Sequence, residues 1–137
     1  MRMDYHVIIV SFFLLAIFSG CVSKPDVKAT YVDINVKDAK TMIENDEVFI
    51  LDVRSQGEYD EGHIKGSTRI PLQDIPQQEI DRKLEEIPMD KKILVYCRTG
   101  QRSKLASEIL INKGFTKVYN IQGGITDWIT AGYQVVK

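Results

Sequence analysis

Five short segments of this chain read as strands, at Tyr31 to Ile34, Val48 to Leu51, Ser67 to Ile70, Ile93 to Tyr96 and Val118 to Ile121. The apolar runs Val48 to Leu51 and Ile93 to Tyr96 lack the apolar–polar alternation of a half-exposed sheet, as expected of buried strands with helices on both faces. The segments between them carry apolar residues three or four apart. After Asn35, whose side chain suits an N-cap, come Val36, Ala39, Met42 and Ile43. Ile80, Leu84 and Ile87 share a face of a helix over residues 78–87 that Pro88 ends. A further helix turns Leu105, Ala106, Ile109 and Leu110 inward and stops at Gly114, a suitable C′ residue. The last spans residues 123–130. Strands alternating with helices predict an α/β domain, a mainly parallel five-stranded sheet with helices on both faces.

The first residues follow another pattern. A short polar start, Met1 to His6, precedes the nearly unbroken apolar stretch Val7 to Phe18 and then Ser19-Gly20-Cys21. That is the order of a signal peptide. Phe18-Ser19-Gly20-Cys21 also resembles a bacterial lipobox, which implies lipidation of Cys21 as the mature N-terminus. The uncharged run from Tyr5 to Val22 is just long enough to span a bilayer, so a retained anchor is an alternative, as is plain secretion. All three export the domain to the outer face of the cytoplasmic membrane or the periplasm. The flanking charges leave orientation open. The chain therefore divides into a leader or anchor (1–21), a linker (22–30) and a domain (31–137).

At 137 residues the chain holds one domain plus this appendage, and 18 Lys and Arg balance 19 Asp and Glu. No basic stripe recommends a nucleic-acid partner. The two cysteines, Cys21 and Cys97, sit in unlike settings and make no disulfide framework. Zinc would need more ligands than Cys97, Cys21 and His63 supply, so no metal is expected.

The chemistry concentrates at Cys97-Arg98-Thr99-Gly100-Gln101-Arg102-Ser103. The strand at Ile93 delivers one cysteine to its carboxyl end, where a short loop turns into a helix. Ligand sites in open α/β sheets form there, facing helix N-termini. Backbone N–H groups, Arg98 and Arg102 all favour the thiolate, the nucleophilic form. An inert core cysteine would need none of them. A buried sulfur, or surrounding peptide groups aimed away from it, would sink the enzymatic reading.

This loop resembles the active-site loop of single-domain rhodaneses, the thiosulfate and persulfide sulfurtransferases. Two further blocks agree in order: Asp52-Val53-Arg54 with Glu58-Tyr59, Gly62-His63-Ile64, Gly66 and Ile70-Pro71, then Gly123-Gly124 with Trp128. The resemblance implies that Cys97 carries the sulfur, that the amides of Arg98, Thr99, Gly100, Gln101, Arg102 and Ser103 cradle it, and that Arg102 closes the loop. It implies no cofactor, a small anionic donor (thiosulfate or a persulfide) and a thiol or cyanide acceptor. Ser67 and Arg69 depart from the usual Ala and Asn, which predicts a changed hydrogen bond before Pro71. Related phosphatases place five residues between cysteine and arginine, and here four separate Cys97 from Arg102. A tethered sulfur carrier or partner-binding module with little turnover is the alternative; a phosphatase is a minor one.

Asp52 and Arg54 are supporting candidates. Arg54 and Glu58 are four apart and suited to pair along a helical turn that Asp52 or Ser55 caps. His63 reads as a turn residue bonded to backbone, since a thiolate activated by its loop needs no general base.

Overall fold

The computed structural model describes residues 28–137. Cys21 and the segment read as signal, lipobox or anchor lie outside the described residues. Five strands, β1 (Val32–Ile34), β2 (Val48–Asp52), β3 (Thr68–Arg69), β4 (Lys92–Tyr96) and β5 (Val118–Ile121), form one sheet in the order β1-β5-β4-β2-β3. Every pairing in it is parallel, as expected.

The helices are α1 (Val36–Asn45), α2 (Gln56–Glu61), α3 (Gln77–Leu84), α4 (Gln101–Asn112) and α5 (Gly124–Thr130). They cover both faces. One core sets Ile80 of α3 and Ala106 and Leu110 of α4 against Leu51, Ile93 and Val95. The other sets Ala39 of α1 and Ile125 and Trp128 of α5 against Ile50, Leu94, Tyr96 and Ile121. Adjacent strand residues point to opposite faces, so β4 feeds both cores and is buried from Ile93 onward.

Local signals act as read at both ends of helices. Asn35 caps α1 by accepting from Asp38 N at 2.8 Å, and Gly114, just past α4, takes a φ of +96°. Two differences have physical reasons. Leu105 is 55% exposed; Ser103 and Ser107 take its expected place against the sheet. Small side chains let α4 lie close to β4 and β5. Helix α3 also ends at Leu84, before Ile87, which is still buried in the turn that follows.

A buried ionic network joins β2 to β4 below the carboxyl edge of the sheet. Arg54 grips Asp52 through Nε–Oδ1 at 3.0 Å and Nη2–Oδ2 at 2.6 Å, and Nη2 also donates to Gly62 O at 2.8 Å. The Arg54 guanidinium lies 5.4 Å from the centre of the Tyr96 ring. The expected Arg54–Glu58 pair is not formed, because Asp52, two residues away and fully buried, claims the guanidinium. Burial, then the Asp52 charge, pushes the Tyr96 phenol above its ordinary range and keeps it protonated. Its oxygen accepts from Ile64 N at 3.1 Å and pairs with Ser67 Oγ at 3.1 Å. Ser67 thus makes the altered bond its departure predicted. Arg69 donates instead to Gln56 Oε1 at 2.9 Å.

Replacing Asp52 by Ala would strand a buried guanidinium. The expected loss is about 3–5 kcal/mol of unfolding free energy, read by urea titration. A loss within error would mean that solvent already screens this pair.

Candidate active site

Strand β4 ends at Tyr96, and Cys97 opens a four-residue loop before α4. The loop closes on Gly100, the α4 N-cap, whose φ of +100° lies in the left-handed region that glycine adopts freely. That turn brings Gly100 N to 3.0 Å from Cys97 Sγ. One helical turn in, Ser103 Oγ donates to the same sulfur at 3.5 Å, and Ser103 is itself fully buried.

Burial alone would raise the Cys97 pKa. Bonds from the Ser103 hydroxyl and from the backbone N–H groups of Ser103, Gly100 and Thr99 outweigh it and leave the thiol below its ordinary value.

The carbonyls that lead into the loop are also occupied. Ile125 N donates to Cys97 O at 2.9 Å and Thr126 N to Arg98 O at 3.1 Å. With the Arg98 carbonyl drawn toward α5, the Thr99 N–H of the same peptide is left facing the sulfur. Gly124 makes the approach possible: a Cβ there would stand 2.3 Å from Cys97 O. Gly124, read from sequence as a tight-turn residue, therefore also provides a close backbone contact.

Arg102 does not reach into the loop. Its Nη1 and Nη2 donate to Glu58 Oε2 at 2.8 Å and Oε1 at 2.7 Å. Glu58 completes a capping box with Ser55 at the start of α2. The Arg102 bonds, followed by those from Ser55 against the opposing cost of burial, take the Glu58 carboxyl down to about 2. The pair is thus intact wherever Cys97 ionises. Sequence reading missed this partnership, since Glu58 and Arg102 are 44 positions apart.

The structure thus gathers Cys97, Gly100 and Ser103 around one sulfur, with Thr99 N–H close by. Arg98 and Thr99 are exposed at the loop's outer side, and Gln101 is exposed in the first turn of α4. Asp52 and Arg54 brace the sheet edge beneath it. The His63 side chain bonds locally, its Nδ1 donating to Tyr59 O at 2.9 Å and its ring stacking on Tyr59.

One finding cuts against the sequence reading. Cys97 is 1% exposed. The thiol lies beneath its loop rather than open to solvent, so a reagent must displace part of that cover to reach it. Among the described residues no three His, Cys, Asp or Glu side chains converge as a metal site would need.

A family model described as a rhodanese-like domain matches residues 35–131. The chain is 31% identical over 98 residues to a protein of Allochromatium vinosum named sulfurtransferase, covering 72% of this chain and 87% of that one. It is 34% identical over 97 residues to YrkF of Bacillus subtilis, whose name marks it as a candidate sulfur carrier. That match covers 70% of this chain and only 50% of YrkF. Among solved structures, a rhodanese-related protein from Thermoplasma volcanium superposes with a TM-score of 0.66 at 36% identity, over 77% of this chain and 98% of that one.

The thiol titration tests this geometry. Alkylation by iodoacetamide against pH should give a midpoint below the ordinary value of about 8.5. Ser103→Ala should move the midpoint upward. An unmoved midpoint would show that the hydroxyl does not stabilise the thiolate.

Proposed function

The chain belongs to the rhodanese-like family, whose chemistry is sulfur transfer, and we propose that Cys97 is the atom on which the sulfur travels. The observation carrying this reading is the Cys97 sulfur held by Gly100 N at 3.0 Å and by the Ser103 hydroxyl. Such donors stabilise the thiolate before reaction and a negatively charged outer sulfur after it.

The thiolate attacks the outer sulfur of thiosulfate or of a persulfide. A new S–S bond forms on Cys97, the donor's own S–S bond breaks, and its electron pair leaves on sulfite or on a thiolate. In the second half-reaction a thiol, or cyanide in an assay, takes the outer sulfur and returns Cys97 to its thiolate. No cofactor is called for. The amides from Arg98 to Ser103 would receive the added sulfur, and exposed Arg98 would attract the anionic donor, a contribution that salt should weaken.

Two features argue against a phosphatase. Four residues separate Cys97 from Arg102, and Arg102 spends its guanidinium on Glu58.

The burial of Cys97 and the likeness to YrkF favour a second reading, a slow sulfur carrier or partner-docking module. The site chemistry is shared; only turnover differs. For the rest of the chain we propose the sequence-based assignment: residues 1–21 as a signal segment with lipidation at Cys21 or as a membrane anchor, 22–30 as linker, and the domain from 31 displayed outside the cytoplasmic membrane.

Mass spectrometry of the full chain after thiosulfate treatment should show one added sulfur on Cys97 and lipid on Cys21. Cys97→Ser should gain no sulfur and transfer none to cyanide. Full turnover by that variant would end the proposal. Saturating steady-state turnover of the native chain identifies the enzyme, and a single-turnover burst identifies the carrier.

A further inference from the structure

The two ends of α4 serve different parts of the chain. At its amino end, Gly100 is the N-cap and closes the Cys97 loop. At its carboxyl end the chain enters the domain, where residues 28–31 share a cavity with Glu108, Ile111 and Asn112 of the last turns. Tyr31 packs against the core, so this footing is fixed. Strand direction gives the same polarity. β1 follows the footing and runs parallel to β5 and β4, so its start lies at the sheet edge opposite Cys97. A helix of 12 residues is about 18 Å long, and that length separates footing from loop.

The footing end also presents an apolar tip. Met89, in the turn before β4, is 57% exposed. Its Cε would lie 3.8 Å from a Cβ on Gly114, just past α4, which puts it at the same end. The charges around it are paired: Lys91 stands 4.0 Å from Glu47, Lys92 2.8 Å from Asp46 and Lys113 2.6 Å from Asp81. Attraction to anionic lipid therefore adds little here, and the apolar tip is left to make the contact.

We propose that this end of the domain is its membrane-facing surface, with Met89 at the lipid boundary, and that the Cys97 loop is held toward the aqueous side. The inference rests on the anchoring of residues 1–21 proposed above, by lipid or by a retained span. Six residues, 22–27, then join the anchor to residue 28, and at full stretch they cover about 20 Å. With the loop turned to the bilayer, the footing would stand about 18 Å away and nearly all of that reach would be drawn taut. A taut segment gives up conformational freedom that the opposite pose leaves intact. The co-reactants of Cys97 are then water-borne molecules or proteins, and a partner embedded in lipid does not meet the loop.

The test uses the full chain bound to vesicles of phosphatidylcholine, with and without bromine on the acyl chains, and reads tryptophan emission. Bromine quenches only indoles close to it. Native Trp128, which is buried, sets the baseline. Met89→Trp should lose roughly half of its added emission in brominated vesicles, as befits a side chain seated about 5–10 Å into the boundary. Gln122→Trp, at an exposed position just past β5 on the Cys97 edge, should stay at the baseline. Equal quenching of the two variants, or stronger quenching of Gln122→Trp, would overturn the orientation while the chain still floats with the vesicles. A chain that does not float with them would instead overturn the anchor reading, and the orientation with it.

Discussion

The site depends on which way a few peptide planes face. A peptide cannot turn its N–H toward a sulfur unless its carbonyl finds a partner on the other side, because an unpaired buried carbonyl is costly. For the Arg98–Thr99 peptide, whose N–H is one of the donors to the sulfur, the first residues of α5 supply that partner and tie down the peptide before it. Ile125 N and Thr126 N take the carbonyls of Cys97 and Arg98. The contact is backbone on backbone and leaves no room for a Cβ at Gly124, whose φ is +54°. Two glycines, at 100 and 124, thus serve a single purpose from either side of the loop.

Below the loop, a second polar layer holds the sheet edge still. The Asp52–Arg54 pair is buried, and the guanidinium also reaches Gly62 O, the residue that ends α2. Through this bond the end of β2 sets where α2 lies. Glu58 on α2 then meets Arg102 on α4. A charge within the sheet is thereby connected, by packing and hydrogen bonds alone, to the helix that carries Ser103. The connection is one of position; neither Asp52 nor Arg54 touches the sulfur.

Shielding and activation come from the same atoms. Taking a thiolate out of water is unfavourable, and the bonds from Ser103 and Gly100 more than offset that cost. A persulfide kept under such a cover is protected from stray thiols in solution. The same cover restricts entry to small reagents or to partners that move the loop, so under the proposed function turnover and storage would be in tension.

Much of the architecture was legible in the chain. Apolar runs without alternation announce buried parallel strands, and the spacing of Ile80, Leu84, Ala106 and Leu110 marks helix faces that the cores use. Asn35 and Gly114 mark helix ends through local chemistry, which needs no knowledge of distant residues. A cysteine at the end of an apolar run, followed by Gly100 and a helix start, locates the loop. Periodicity, however, reports which way a residue faces and not which polar group it will meet. Arg54 had two acidic neighbours within reach, and the buried one won. Glu58 found Arg102 across 44 positions, the amides of α5 found the Cys97 loop, and Leu105 yielded its inward place to serines. Those choices were made when separate elements packed together, because hydrogen-bond partners are selected by distance and angle in three dimensions.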